Sequence, residues 1–111
     1  MRRDARRILW ERGQNRELIF YGELGSELDV NIRHPDFFTM LDTLCREESE
    51  AGGPMITALV ANKRTGIPGQ RFFVLAEELG HEFVSLREFV EAERETVFDW
   101  MREHPERASL G

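Results

Sequence analysis

The stretch from Gly53 to Gly80, GPMITALVANKRTGIPGQRFFVLAEELG, limits the possible folds more than any other part of the chain. Met55 to Ala61 presents apolar residues on both faces with only Thr57 interrupting, the pattern of a strand covered on both sides. Asn62-Lys63-Arg64-Thr65-Gly66 turns the chain out of it. Ile67-Pro68-Gly69-Gln70 then fits a type II turn, with proline at i+1 and a positive-φ glycine at i+2. Phe72, Leu75, Ala76 and Leu79 share a helical stripe for which Gly80 is a natural stop. A strand over Arg71–Leu75 competes, because Phe72-Phe73-Val74 is also β-prone; the LAEEL run favours the helix.

The flanking segments read as packing around this centre. Residues 3–12 predict a helix with Ala5, Ile8 and Leu9 on one side, ended by Gly13 as a left-handed residue. Arg3, Arg6, Arg7 and Trp10 fall together on another face. Residues 17–21 predict a short strand, followed by a YGELGSEL helix with Leu24 and Leu28 spaced i, i+4. Pro35 opens a helix that runs to about Ser49 and aligns Phe37, Met40, Leu41, Leu44 and Cys45. Ser85-Leu86-Arg87-Glu88 is a capping box, with Val84 and Phe89 placed to staple it. The helix it starts runs to about Glu103 with Leu86, Phe89, Val90, Val97, Trp100 and Met101 on the apolar stripe. Glu93 falls inside that stripe, so its carboxylate needs a partner, an arginine being the structural choice. The tail over 104–111 reads as frayed.

At 111 residues the chain suits one domain with one modest core. No apolar run approaches the roughly 20 residues of a membrane span, and the basic start lacks the apolar region of a secretory signal. The single Cys45 can close no internal disulfide, which fits a cytoplasmic setting. Net charge is −6, yet residues 1–20 and 55–76 each carry +3, while 21–54 and 77–111 each carry −6. If the two basic blocks meet, they form a local positive patch on an acidic body.

Catalytic signatures are absent: the sequence has no GxSxG, P-loop, GxGxxG, HExxH or CxxC pattern. His34, His81 and His104 lack partners at metal-ligand spacing, so no metal and no cofactor is expected. Cys45 reads as a small buried hydrophobe. Glu93 would carry chemistry only if a deep pocket joined it to a histidine or cysteine. Two binding surfaces remain. Trp10 among arginines reads either as local Arg–Trp stacking that shields the indole, as a stacking surface for nucleic acid, or as a protein contact. The TGIPG turn with Lys63, Arg64 and Arg71 reads as a structural turn, an anion or nucleic-acid contact, or a protein contact.

The order of elements, with Phe20-Tyr21-Gly22-Glu23-Leu24 and Pro54-Met55-Ile56-Thr57-Ala58-Leu59-Val60, resembles the winged-helix domain of alkyltransferase-like DNA-binding proteins over residues 5–80. Met55 stands where that family's reactive cysteine would be and the His-Arg pair is missing, so the resemblance excludes alkyl transfer. The stretch P-x-I-T-A-L-V-x-N-K-x-T-G-x-P-G-x-x-F-F is also similar to small uncharacterised bacterial and phage proteins.

The expected fold is α+β, mainly helical and winged-helix-like, with a two- or three-stranded sheet and a long C-terminal helix. The leading functional expectation is a small non-enzymatic module that binds DNA or RNA through Arg3, Arg6, Arg7, Trp10, Lys63, Arg64, Gln70 and Arg71. The alternative is a protein-interaction or regulatory module, acting through its acidic helices or an apolar surface near Phe98, with a protein partner or as a homodimer.

Overall fold

The computed structural model describes residues 1–110. Five helices surround a two-stranded sheet: α1 (Arg2–Gln14), β1 (Ile19–Phe20), α2 (Tyr21–Leu28), α3 (Pro35–Glu50), β2 (Val60–Ala61), α4 (Gln70–Glu78) and α5 (Leu86–Glu103). The architecture is therefore α+β and mostly helical. The strands are parallel, with Ile19 opposite Val60 and Phe20 opposite Ala61. No β-hairpin wing forms between them, because parallel strands need a long crossover, here α2 and α3. No helix among the described residues is long and apolar enough to cross a membrane.

Most of the expected central strand is something else. Ile56–Leu59 forms a 3-10 turn, and only Val60 and Ala61 pair as β2. Every residue from Pro54 to Ala61 is nonetheless buried. An all-apolar run signals burial without fixing the backbone period. After it the chain is helical from Gln70, which decides against the competing strand.

Two glycines work differently from expectation. Gly13 lies within α1, and the left-handed residue beyond the helix is Arg16, with φ 56°. A Cβ on Gly13 would overlap Met101 Sδ and lie 3.2 Å from Leu59 Cδ1, so this glycine lets α5 approach α1. In the loop after β2 the positive φ belongs to Gly66, at +77°. Gly69 has φ −74° and ψ 173° as the residue capping α4, so the type II turn is not formed.

Trp10, Leu9, Leu44, Leu59, Val97 and Met101 anchor the core, each fully buried. One buried polar network crosses it. Glu48 on α3 accepts hydrogen bonds from Arg6, from Trp100 Nε1 at 3.1 Å, and from Arg107 Nε and Nη2 at 2.6 and 2.9 Å. Burial alone would raise the Glu48 carboxyl, but the bonds from Arg107, Arg6 and Trp100 outweigh it and hold it below the usual glutamate range. The network also corrects the tail: Pro105–Ser109 is a 3-10 turn pinned through Arg107.

At the start of α5, Ser85 Oγ accepts the Glu88 N–H at 3.2 Å, which is one half of the expected capping box; the return bond from the Ser85 N–H to the Glu88 side chain is not formed. The staple differs. Phe83, not Val84, stacks on Phe89, with centroids 4.6 Å apart, and Val84 stands fully in solvent. Leu86 is likewise 44% exposed rather than part of the buried stripe.

Candidate nucleic-acid interface

The carboxyl ends of β1 and β2, the start of α2 and the loop after β2 enclose an open groove of about 790 Å³. Phe20, Tyr21 and Phe38 wall it, and Lys63 stands at its edge. The register of the strand pair places Phe20 beside Ala61, so the groove is built where both strands end. Tyr21 and Phe38 lie with ring centroids 5.6 Å apart. Phe20 remains 37% exposed. Burial raises the Tyr21 hydroxyl pKa above its ordinary value, against the opposing effect of the Gly69 N–H. That N–H donates to Tyr21 Oη at 2.9 Å and ties the loop to the groove.

The loop itself is held from both sides. Asn62 Oδ1 accepts the Arg64 N–H at 2.8 Å, and the Asn62 carbonyl accepts the Gly66 N–H at 2.8 Å. From α5, Arg87 Nη2 donates to the Thr65 carbonyl at 2.7 Å and Arg94 Nη2 to the Gly66 carbonyl at 2.9 Å. Arg94 also donates through Nε to the Ala58 carbonyl at 2.8 Å. Burial, then the neighbouring Arg87, lowers the Arg94 pKa from its usual value. A turn fixed in this way presents Lys63 and Arg64 without first losing backbone freedom on binding.

The expected contact residues separate into distinct groups. Lys63 and Arg64 are exposed, and no carboxylate lies within 4.0 Å of either among the described residues. Arg71 reaches the groove wall, its guanidinium 6.0 Å from the Phe38 centroid, but it is paired with Asp42 at 2.9 Å. Gln70 lines a second groove, which shares Asn62 and Gly69 with the first. Arg3 is exposed between α1 and α3 beside Thr39, the residue that Arg71 Nη2 contacts at 3.4 Å. Arg7 is exposed and 3.7 Å from Asp4.

Arg6 and Trp10 leave the contact set. Arg6 is 2% exposed and bound to Glu48 and Glu47. Its guanidinium lies 5.7 Å from the Trp10 centroid, so Arg–Trp stacking is the arrangement found, inside the protein. Trp10 is fully buried and donates to the His104 carbonyl at 2.9 Å. Phe98 is also buried, under the Arg16 guanidinium at 4.7 Å, and offers no apolar surface.

Several groove residues carried no signal strong enough to be chosen as contacts. Phe38 sits one residue from the core stripe of α3, and Phe20 and Tyr21 read as the end of a short strand and as part of a motif likeness. Arg87 and Arg94, seven residues apart, share one face of α5, but only the fold shows that this face meets the loop.

Glu93 is buried and takes the Met55 N–H at 2.9 Å instead of an arginine. His81 Nε2 is 4.0 Å from it, in a shallow groove of about 470 Å³. Cys45 is fully buried against Thr57 Oγ1 at 2.9 Å, and desolvation pushes its thiol up to about 11. It therefore supplies no thiolate near neutral pH. No group of three His, Cys, Asp or Glu side chains among the described residues is arranged to hold a metal ion. Comparison with protein-family profiles, curated proteins and solved structures found no match to this chain.

Proposed function

We propose that this chain is a small non-enzymatic nucleic-acid-binding module whose contact is the aromatic groove and the turn beside it. Lys63 and Arg64 meet phosphates, and Phe20 with Phe38 stacks an unpaired base. The carrying observation is that Lys63 stands at the edge of a groove walled by three aromatic rings, on a backbone-pinned turn whose next residue, Arg64, is likewise exposed and without a carboxylate within 4.0 Å among the described residues. Of the winged-helix layout, the reading keeps the α2–α3 helix pair and the glycine turn after β2.

Phosphate contacts give salt-dependent affinity without sequence choice. Stacking adds about 1–3 kcal/mol per base and tolerates any base. Glu23 and Glu27 share the groove, but Arg12 Nη2 lies 3.9 and 3.1 Å from their carboxylates, which moderates their repulsion of phosphate. The arrangement favours single strands, whose bases are free to enter the groove.

Fluorescence anisotropy with labelled single- and double-stranded DNA and RNA at two salt concentrations tests this. Single strands should bind more tightly, weaken with salt, and lose at least about tenfold in affinity on Phe20→Ala. No binding at tens of micromolar protein and low salt would sink the proposal.

A further inference from the structure

Along the second groove, toward α4 and the start of α5, the surface changes character. Val74, Val84 and Leu86 are 50%, 104% and 44% exposed. Next to them Phe83 is stacked on Phe89 and lies 5.8 Å from Phe73, which gives an aromatic floor. A groove of about 500 Å³ joins Val74, Phe83 and Leu86, and an adjoining hollow shares Phe83 with Val84 and Phe89. The apolar patch is thus continuous. Because Phe83 has taken the stapling position, Val84 makes no packing contribution to the fold that would explain an apolar residue there.

The rim of this patch is acidic. Glu77 on α4, Glu82 in the connector and Glu88 on α5 are exposed, with no cation within 4.0 Å among the described residues. Arg87, next to Leu86, has its guanidinium engaged by the Thr65 carbonyl. An apolar strip edged by three unpaired carboxylates disfavours nucleic acid. It also disfavours a two-fold dimer through the same face, since both copies would bring their own acidic rims together.

The geometry points to this face as a docking site for a segment of a partner protein with apolar anchors flanked by lysine or arginine. Such a segment matches the patch in both respects: its apolar face covers Val84, Leu86 and Val74, and its cations meet Glu77, Glu82 and Glu88. The residues differ from those of the nucleic-acid contact, so either proposal stands or falls without the other.

The test is selection from a displayed library of peptides of about 16 residues, with apolar and charged positions varied, against the full chain. Enriched peptides should combine apolar anchors with basic flanks, bind more weakly as salt rises, and lose at least about tenfold in affinity to Val84→Asp. The double variant Glu82→Lys/Glu88→Lys should lose a similar factor, with thermal melting confirming that both variants fold. No enrichment, enrichment of peptides without basic residues, or binding unchanged by Val84→Asp overturns the proposal. Sedimentation showing a dimer that Val84→Asp dissociates also overturns it, and assigns the face to a second copy.

Discussion

Arg6 in α1 and Lys63 in the turn after β2 belong to the two stretches that carry equal positive charge in the sequence, and they end in opposite surroundings. Arg6 is 2% exposed and shares a buried carboxylate with Arg107. Lys63 is exposed and has no carboxylate within 4.0 Å among the described residues. Charge spent inside a fold sets stability and has no external field to speak of, while charge left outside steers ligands and hardly affects stability. A charge count along the chain does not distinguish the two.

The sharpest way to break that contrast is to remove the carboxylate. Glu48→Gln leaves Arg107 without its ion pair and Arg6 with only Glu47. Breaking a buried pair costs about 3–5 kcal/mol, and the surviving Glu47 contact puts this case near about 3. A loss of that size should lower Tm by about 12 °C or more. The pH dependence gives a second readout. The Glu48 carboxyl is held below its ordinary value in the folded state. Its stabilisation is therefore complete above the unfolded pKa of about 4.3, and fades as pH falls through the lower folded value. Wild type should lose stability more steeply than Glu48→Gln in that acidic window, measured by melting across pH.

A smaller effect is expected where α1 meets α5. Gly13→Ala places a methyl group against Met101 and Leu59, both fully buried. Overpacking costs about 1–3 kcal/mol, while exchanging glycine for alanine within a helix returns about 1. The net should be a loss of about 1 kcal/mol, read from denaturant midpoints. A gain in stability would mean that Met101 yields, and that the contact between these helices is softer than its burial implies.

What could be read from the sequence follows the range of the interaction. The Ser85 cap, the proline start of α3 and the helical stripe of α4 depend on residues three or four apart, and each formed. A glycine that admits a neighbouring helix, as Gly13 does, looks the same in sequence as one that ends a helix, and a glycine that caps a helix start, as Gly69 does, looks the same as one at the positive-φ corner of a turn. The burial of Met55–Ala61 was legible and its backbone was not, since a run that is apolar throughout has no period. At the site, the exposed Lys63-Arg64 turn was visible as a local motif. The loss of Arg6 and Trp10 to the interior was not, because their partners Glu48 and His104 lie 42 and 94 positions away. The staple missed by a single residue, Phe83 for Val84, and that one shift exposed the patch proposed as a docking face.

The smallest effect on stability should come with the clearest effect on binding. Lys63→Ala/Arg64→Ala removes two exposed side chains that make no ion pair among the described residues, so folding stability should stay within about 0.5 kcal/mol of wild type. If both contact phosphates, the slope of log affinity against log salt for single strands should fall in magnitude by about 0.7 for each. The two measurements have to be read together. Unchanged stability with an unchanged slope would place the nucleic-acid contact elsewhere, with Arg3 beside Thr39 the next exposed cation to test. A large stability loss would show that the turn serves the fold, as Arg6 does, and would erase the contrast between the two basic stretches.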